Sequence, residues 1–334
     1  MHLDQSGTVI ADKYELIEVA GRGGMAAVWR AVTRGAEGFR RAVAVKRVLP
    51  ELCADKTFID MFIEEARVGS QLQHPNIVQI HDFGRDQWGQ YFLVMEWVEG
   101  LDLWRHVEAQ IERGRRTSWP LLAAITIEVL RALAAAHERP QGQVIHRDVN
   151  PQNILIAESG VVKLSDFGLS RAMDRGRITH PDIVKGKLSY LAPELTYGAD
   201  PTVRSDLFSV GIVLWEALAG RKLFQGDTDI DVLVGVREAE IPPLQVDRPG
   251  LPAPLYALID RALKREPNER FSSADRMGRA LADLLRGFHE RTDARAVGRS
   301  VIEARARLAG EQVAPPPVPP PSGEVATVDG DGTK

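Results

Sequence analysis

At 334 residues the chain is long enough for about two domains and a sizeable buried core. A formal charge of -4, with 42 basic and 46 acidic side chains, gives no basic footprint for nucleic acid, and no such partner is expected. Hydrophobic and charged contents of 44% and 26% are those of an ordinary globular protein. Cys53 is the single cysteine, so an internal disulfide is excluded and a reducing cytoplasm is the expected setting. No run of about eighteen apolar residues occurs, and Met1-His2-Leu3-Asp4-Gln5-Ser6 lacks the basic and apolar regions of a signal, so no membrane span is expected.

Residues 14–45 read as strand, turn, strand, a loop at residues 34–41 rich in Gly and Arg, and a third strand. The first turn carries Gly21-Arg22-Gly23-Gly24-Met25-Ala26-Ala27-Val28. Glycines there let the backbone approach phosphates with its amides exposed to anions. Alone the cluster also fits a plain turn, and a dinucleotide fold would need a helix directly after it, where a strand follows. The third strand, Ala42-Val43-Ala44-Val45-Lys46, ends in a lysine. Residues 57–72 then place Phe58, Met61, Phe62, Gly69 and Leu72 on one helical stripe, and Glu65 falls on the same stripe. An inward carboxylate is costly unless paired, and Lys46 is its natural partner; Glu64, one position away, should face solvent. Tyr91-Phe92-Leu93-Val94-Met95 reads as a buried strand running into Glu96-Trp97-Val98-Glu99-Gly100.

Beyond this point the pattern turns helical, with residues 119–137 at helical spacing and residues 205–219 strongly apolar around Asp206 and Trp215. Between them lies His146-Arg147-Asp148-Val149-Asn150-Pro151-Gln152-Asn153, followed by two apolar runs joined at Glu158-Ser159-Gly160 and then by Asp166-Phe167-Gly168. A hairpin brings Asn153 and Asp166 side by side, and their hard oxygen atoms suit Mg²⁺ shared with nucleotide phosphates. Asp148 enters that hairpin, placed to accept a proton from an attacking hydroxyl. The stretch up to Ala192-Pro193-Glu194 is rich in Arg, Lys and Gly and reads as a loop; Thr179 is its only threonine. From residue 287 the composition changes: residues 294–308 suit one more helix, basic on its polar side, and residues 311–334 form a Pro-rich tail. Such a tail is a possible partner ligand, though a plain disordered tail is the simpler reading.

Taken together, the glycine-rich turn, the strand lysine, the 146–153 loop, Asp166-Phe167-Gly168 and Ala192-Pro193-Glu194 resemble the eukaryotic-like protein kinase family and its bacterial serine/threonine members. The resemblance implies an α+β, two-lobed fold: an N-terminal extension at residues 1–13, a small β-rich lobe at 14–95 with one key helix, a hinge at 96–100, and a helical lobe at 101–285. It implies a kinase that takes ATP and Mg²⁺ and phosphorylates Ser or Thr of protein substrates, with Asp148 as catalytic base, Lys46 and Glu65 positioning the phosphates, and Asn153 and Asp166 as metal ligands. Gly21, Arg22, Gly23, Gly24, Met25 and Ala26 would cover the nucleotide. Val28, Ala44 and Leu155 would sandwich the purine; Met95 would border it, and the backbone of Glu96 and Val98 would hydrogen-bond to it. His146 would be a packed structural residue, Arg147 a phosphate-binding one, Asp206 an anchor for the catalytic loop, and Arg270 the partner of Glu194. Thr179 is the expected regulatory phosphosite. Two positions depart from the pattern. Asn150 stands where serine/threonine members have a lysine, and Lys187 stands where they have a threonine. If the cation has changed sides, Lys187 supplies it near the transferred phosphoryl and Asn150 accepts its hydrogen bond. The missing lysine also leaves a tyrosine acceptor open.

Overall fold

The computed structural model describes residues 4–112, 114–167 and 188–310. Thr179, Lys187 and the Pro-rich tail lie outside them. Strands β1 (Val9–Ile10), β2 (Tyr14–Arg22), β3 (Ala26–Arg34), β4 (Arg40–Val48), β5 (Ile80–Arg85) and β6 (Tyr91–Glu96) form one antiparallel sheet, in the order β1-β2-β3-β4-β6-β5. The two-residue period of β4 explains how this lobe packs. Val43 and Val45 join Tyr14, Leu16, Trp29, Phe92 and Val94 on one face. Ala44 and Val48 turn to the other, against Leu93, Met95 and the helix α1 (Lys56–Gly69), which contributes Phe62 and Ala66. Lys46 shares the parity of Ala44 and Val48 and therefore faces α1. Arg47, one residue on, points the opposite way and pairs with Asp86 at 2.6 Å and with Asp4 at 2.8 Å, which draws the segment ahead of Tyr14 onto the sheet.

Asp55 caps α1 by accepting from the Thr57 N–H at 2.8 Å. The helix ends at Gly69, short of Leu72, because Leu72 is buried in the core of the other lobe. That lobe is built from α2 (Leu103–Ile111), α3 (Trp119–His137), α4 (Val203–Ala219), α5 (Asp229–Glu238), α6 (Leu244–Asp247), α7 (Ala253–Ala262), α8 (Ala274–Leu285) and α9 (Ala294–Leu308). A three-stranded sheet, β7 (Gly100–Asp102), β8 (Ile154–Ala157) and β9 (Val162–Leu164), lies against it. α4 is buried on every face from Ser205 to Ala219, as a helix through the centre of a lobe must be. By length and composition alone α3 is apolar enough to cross a membrane, although Glu128 and Arg131 interrupt its apolar run. Its place is the core of this lobe, where it is 67% buried and packs against α4 and α8.

Among the described residues, two chain segments carry backbone from one lobe to the other. One is the hinge from Glu96 to Gly100. The other is the segment between α1 and β5, where the Asn76 side chain donates to the Val162 carbonyl at 2.8 Å, the Leu164 N–H donates to the Asn76 carbonyl at 2.8 Å, and the Val78 N–H donates to the Leu164 carbonyl at 3.0 Å.

Candidate active site

The loop before β8 is anchored from below. Asp206, near the start of α4 and 1% exposed, accepts from the His146 N–H, the Arg147 N–H and His137 Nε2, each at 2.8 Å. His146 is fully buried; its Nε2 lies 2.8 Å from the Ser165 carbonyl and its ring packs edge-on against Phe167. With these anchors in place Arg147 adopts φ +69 and Asp166 φ +62, left-handed conformations that cost a non-glycine residue about 1–3 kcal/mol each. Two such residues on neighbouring loops place local backbone strain beside the cleft.

Asp148 follows, buried, in a mesh of amides. Asn150 Nδ2 donates to its carboxylate at 3.0 Å, and Asn153 Nδ2 donates to its carbonyl at 2.8 Å and to its carboxylate at 3.3 Å. The Asn150 oxygen accepts from the Gln152 N–H at 3.0 Å and the Asn153 N–H at 3.1 Å, capping the turn Pro151–Asn153. Both of its lone pairs are thereby used, which differs from the expectation that this oxygen receives the Lys187 ammonium. Asn153, its amide nitrogen engaged by Asp148, keeps its side-chain oxygen clear of any donor among the described residues.

Lys46 brings the second half of the site together. Its ammonium meets Glu65 at 2.6 Å and also contacts Asp166, whose other oxygen accepts from Ser165 Oγ at 2.8 Å. Glu64 turns away and pairs with Arg67 at 2.6 Å. Burial pushes Glu65 up to about 7 against the pull of Lys46. Burial works against the charge on Asp166 as well, yet the ammonium beside it holds that carboxyl far below the usual range. Lys46 is buried too, and the two carboxylates overcome that cost and keep it protonated.

The nucleotide-side residues converge from four strands, β3, β4, β6 and β8. Ala44 and Met95 sit in one apolar cluster, and Met25, Val28, Val98 and Leu155 pack against it. In the glycine-rich turn Gly21 pairs with Val28, Arg22 with Ala27, and the Gly23 N–H donates to the Ala26 carbonyl at 2.9 Å. Neither Gly21 nor Gly23 has a positive φ, and a Cβ on Gly21 would meet nothing within 4 Å. At Gly21, then, glycine leaves open space above the cleft and is not required by the backbone conformation. In the hinge the Glu96 N–H donates to the Gln79 carbonyl at 2.9 Å, so only its carbonyl can face a ligand; no described group occupies the Val98 N–H. Three participants were not singled out from sequence: Ser165, which supports Asp166, and Trp97 and Glu99 in the hinge, discussed below. A small polar residue directly before Asp166 was the only available signal for the first. Arg270 and Glu194 form a bidentate pair at 2.7 and 2.8 Å in the helical lobe.

A small sheet and a helical lobe that meet at a lysine bridged to two carboxylates, with a glycine-rich hairpin on one side, have the architecture of the protein kinase fold. The protein kinase domain family matches residues 14–281, and the chain belongs to that family. It is 36% identical over 280 residues to tyrosine-protein kinase MasK of Myxococcus xanthus, covering 82% of this chain and 43% of that protein. It is 35% identical over 282 residues to serine/threonine-protein kinase PrkC of Bacillus subtilis, covering 84% and 41%. The chain thus spans less than half the length of these curated relatives. Among solved structures, the PknI kinase domain of Mycobacterium tuberculosis (C20A mutant) superposes with a TM-score of 0.64 at 29% identity, covering 85% of this chain and 99% of that one.

Proposed function

We propose that this protein transfers the γ-phosphoryl group of ATP to serine or threonine hydroxyls of protein substrates. The observation that carries the reading is the buried Lys46, joined at once to Glu65 of α1 and to Asp166 after β9. A lysine so placed can meet nucleotide phosphates only when helix, sheet and lower lobe are all in register, as transfer by positioning requires. Asp148 orients the acceptor hydroxyl and takes its proton as the new O–P bond forms and the bond to the ADP leaving group breaks. Val28, Ala44, Met95 and Leu155 enclose the purine, with the Glu96 carbonyl and the Val98 N–H as its hydrogen-bond partners, and the 21–26 turn covers the phosphates. The clear Asn153 side-chain oxygen and the Asp166 carboxylate suit Mg²⁺, which takes one or two protein oxygens together with phosphates. Among the described residues no cluster of three or more His, Cys, Asp or Glu could hold a metal unaided, which fits a cation that arrives with the nucleotide. When bound, that cation would neutralise charge on the phosphates.

Phosphoamino-acid analysis after incubation with Mg-ATP tests transfer and acceptor type together. Phosphoserine and phosphothreonine are expected. Phosphotyrosine alone would favour a second reading, which has two specific supports: Asn150 in place of the lysine, and the likeness to a protein named a tyrosine kinase. Binding of nucleotide without any transfer would instead make the chain a nucleotide-binding scaffold. Thr179 is our proposed principal autophosphorylation site, and mass spectrometry that finds other sites occupied and Thr179 bare would refute it. Lys187 is our proposed replacement cation; full activity in Lys187→Ala would end that idea. A reducing cytoplasm, where ATP is abundant and Cys53 would stay a thiol, is the setting we assign.

A further inference from the structure

We propose that α9 is a brace on the hinge and that Arg305 is a positioning residue for the nucleotide, an inference that rests on the reading of residues 96–98 as the purine-binding segment. α9 buries Val297, Val301 and Ala304 against the lower lobe beside α2, β7 and β8. Two glycines let it come closer than side chains allow. A Cβ on Gly298 would lie 2.2 Å from the Glu158 carbonyl oxygen, and one on Gly160 would lie 1.7 Å from that of Ala294. Helix and β8–β9 turn therefore meet backbone to backbone, which fixes the helix in height and rotation.

Two turns beyond Gly298, Arg305 reaches the hinge. Its Nη1 pairs with Glu99 at 2.7 Å and also with Glu158, whose own N–H donates to the Glu99 carbonyl at 2.9 Å. The second Glu99 oxygen accepts from Trp97 Nε1 at 2.8 Å, and the Arg30 guanidinium of β3 stands 5.8 Å from the Trp97 ring centre. The two residues that flank Val98 are thus both tied, through side chains, to the C-terminal helix. Arg305 and Glu99 are 37% and 46% exposed, so their attraction alone is modest. What the contact supplies is order in a segment that would otherwise lose conformational freedom when nucleotide binds.

The test uses the full chain and the variants Arg305→Ala, Arg305→Lys and Gly298→Ala, with Mg-ADP affinity by calorimetry, KM for ATP against kcat, thermal unfolding, and amide hydrogen exchange at residues 96–100. Arg305→Ala is expected to weaken Mg-ADP about threefold to fivefold, the upper part of the range of an exposed pair. KM for ATP should rise in parallel, kcat should stay within twofold, hinge exchange should quicken, and Arg305→Lys should lie between. Gly298→Ala, which wedges the helix off the turn, should weaken Mg-ADP further. If both alanine variants fold and bind Mg-ADP within twofold of the unaltered chain, or if the loss falls on kcat alone, the brace is wrong. If Gly298→Ala does not fold, Arg305→Ala decides by itself. Should the unaltered chain bind no Mg-ADP, the kinase reading fails, and hinge exchange in Arg305→Ala still judges the brace: faster exchange supports it and unchanged exchange overturns it.

Discussion

The Asp148 carboxylate accepts from the side-chain amides of Asn150 and Asn153. Asp148→Asn keeps the size and part of the hydrogen bonding but cannot take a proton. We expect kcat to fall by about two to four orders of magnitude, the usual contribution of a general base, with Mg-ADP affinity and thermal unfolding unchanged; retention of a tenth of the activity would remove Asp148 from the role. Glu65 gives a pH prediction with two opposite signs. Its carboxyl titrates near 7 in the fold against 4.5 ordinarily, so its contribution to stability is complete below about pH 4.5 and is lost as pH rises through 7. The charged form is nevertheless the one that pairs with Lys46. Rising pH across that window should therefore raise kcat/KM for ATP while lowering stability. Glu65→Gln should abolish the rising limb and, in urea unfolding at pH 5 and pH 8, gain relative to the unaltered chain at the higher pH.

Among the elements, α4 has no polar face to offer solvent, and its two acidic side chains find their donors inside the lobe. Asp206 receives three donors at its start, and Glu216 receives Tyr190 Oη at 2.6 Å and the Leu223 N–H at 3.0 Å near its end. The turn at Pro267–Glu269 docks on the same helix through Arg270, which is buried, bidentate to Glu194, and donates as well to the carbonyls of Lys264, Arg204 and Arg265. Arg270→Ala strands a carboxylate and three carbonyls together. A loss of about 3–5 kcal/mol is expected, as for other buried pairs broken on one side, measurable by urea unfolding; a loss below 1 kcal/mol would mean the pair is spectator to folding. Elements also mark the limit of what the sequence discloses. Lys46 and Glu65 were legible because a period of 3.6 points Glu65 inward, and an inward carboxylate calls for a cation such as the one that ends the neighbouring strand. Asn153 and Asp166 were legible from the hairpin between them. β1 left no trace, since two residues cannot display an alternation. The Asn150 oxygen was misread because capping a three-residue turn and receiving a cation call for the same amide. Arg305 and Glu99 were invisible because a pairing across most of the chain leaves no periodic mark.

At the scale of the whole molecule, both lobes contribute to one cleft, so a ligand that spans it should stabilise them jointly. Mg-ADP at a hundred times its Kd would add about 2.7 kcal/mol, a rise of several degrees in the unfolding temperature of a domain this size; Lys46→Met should erase most of that rise in a thermal-shift measurement. The stitching of residues 76–78 onto β9 has a mechanical corollary. Those backbone bonds act as an axle, and the strand that forms its lower bearing runs straight into Ser165 and Asp166. Swinging the sheet about this axle would sweep the tip at residues 21–26 through a wide arc while the aspartate near the pivot barely travels, so the jaw could widen without dismantling its own fulcrum.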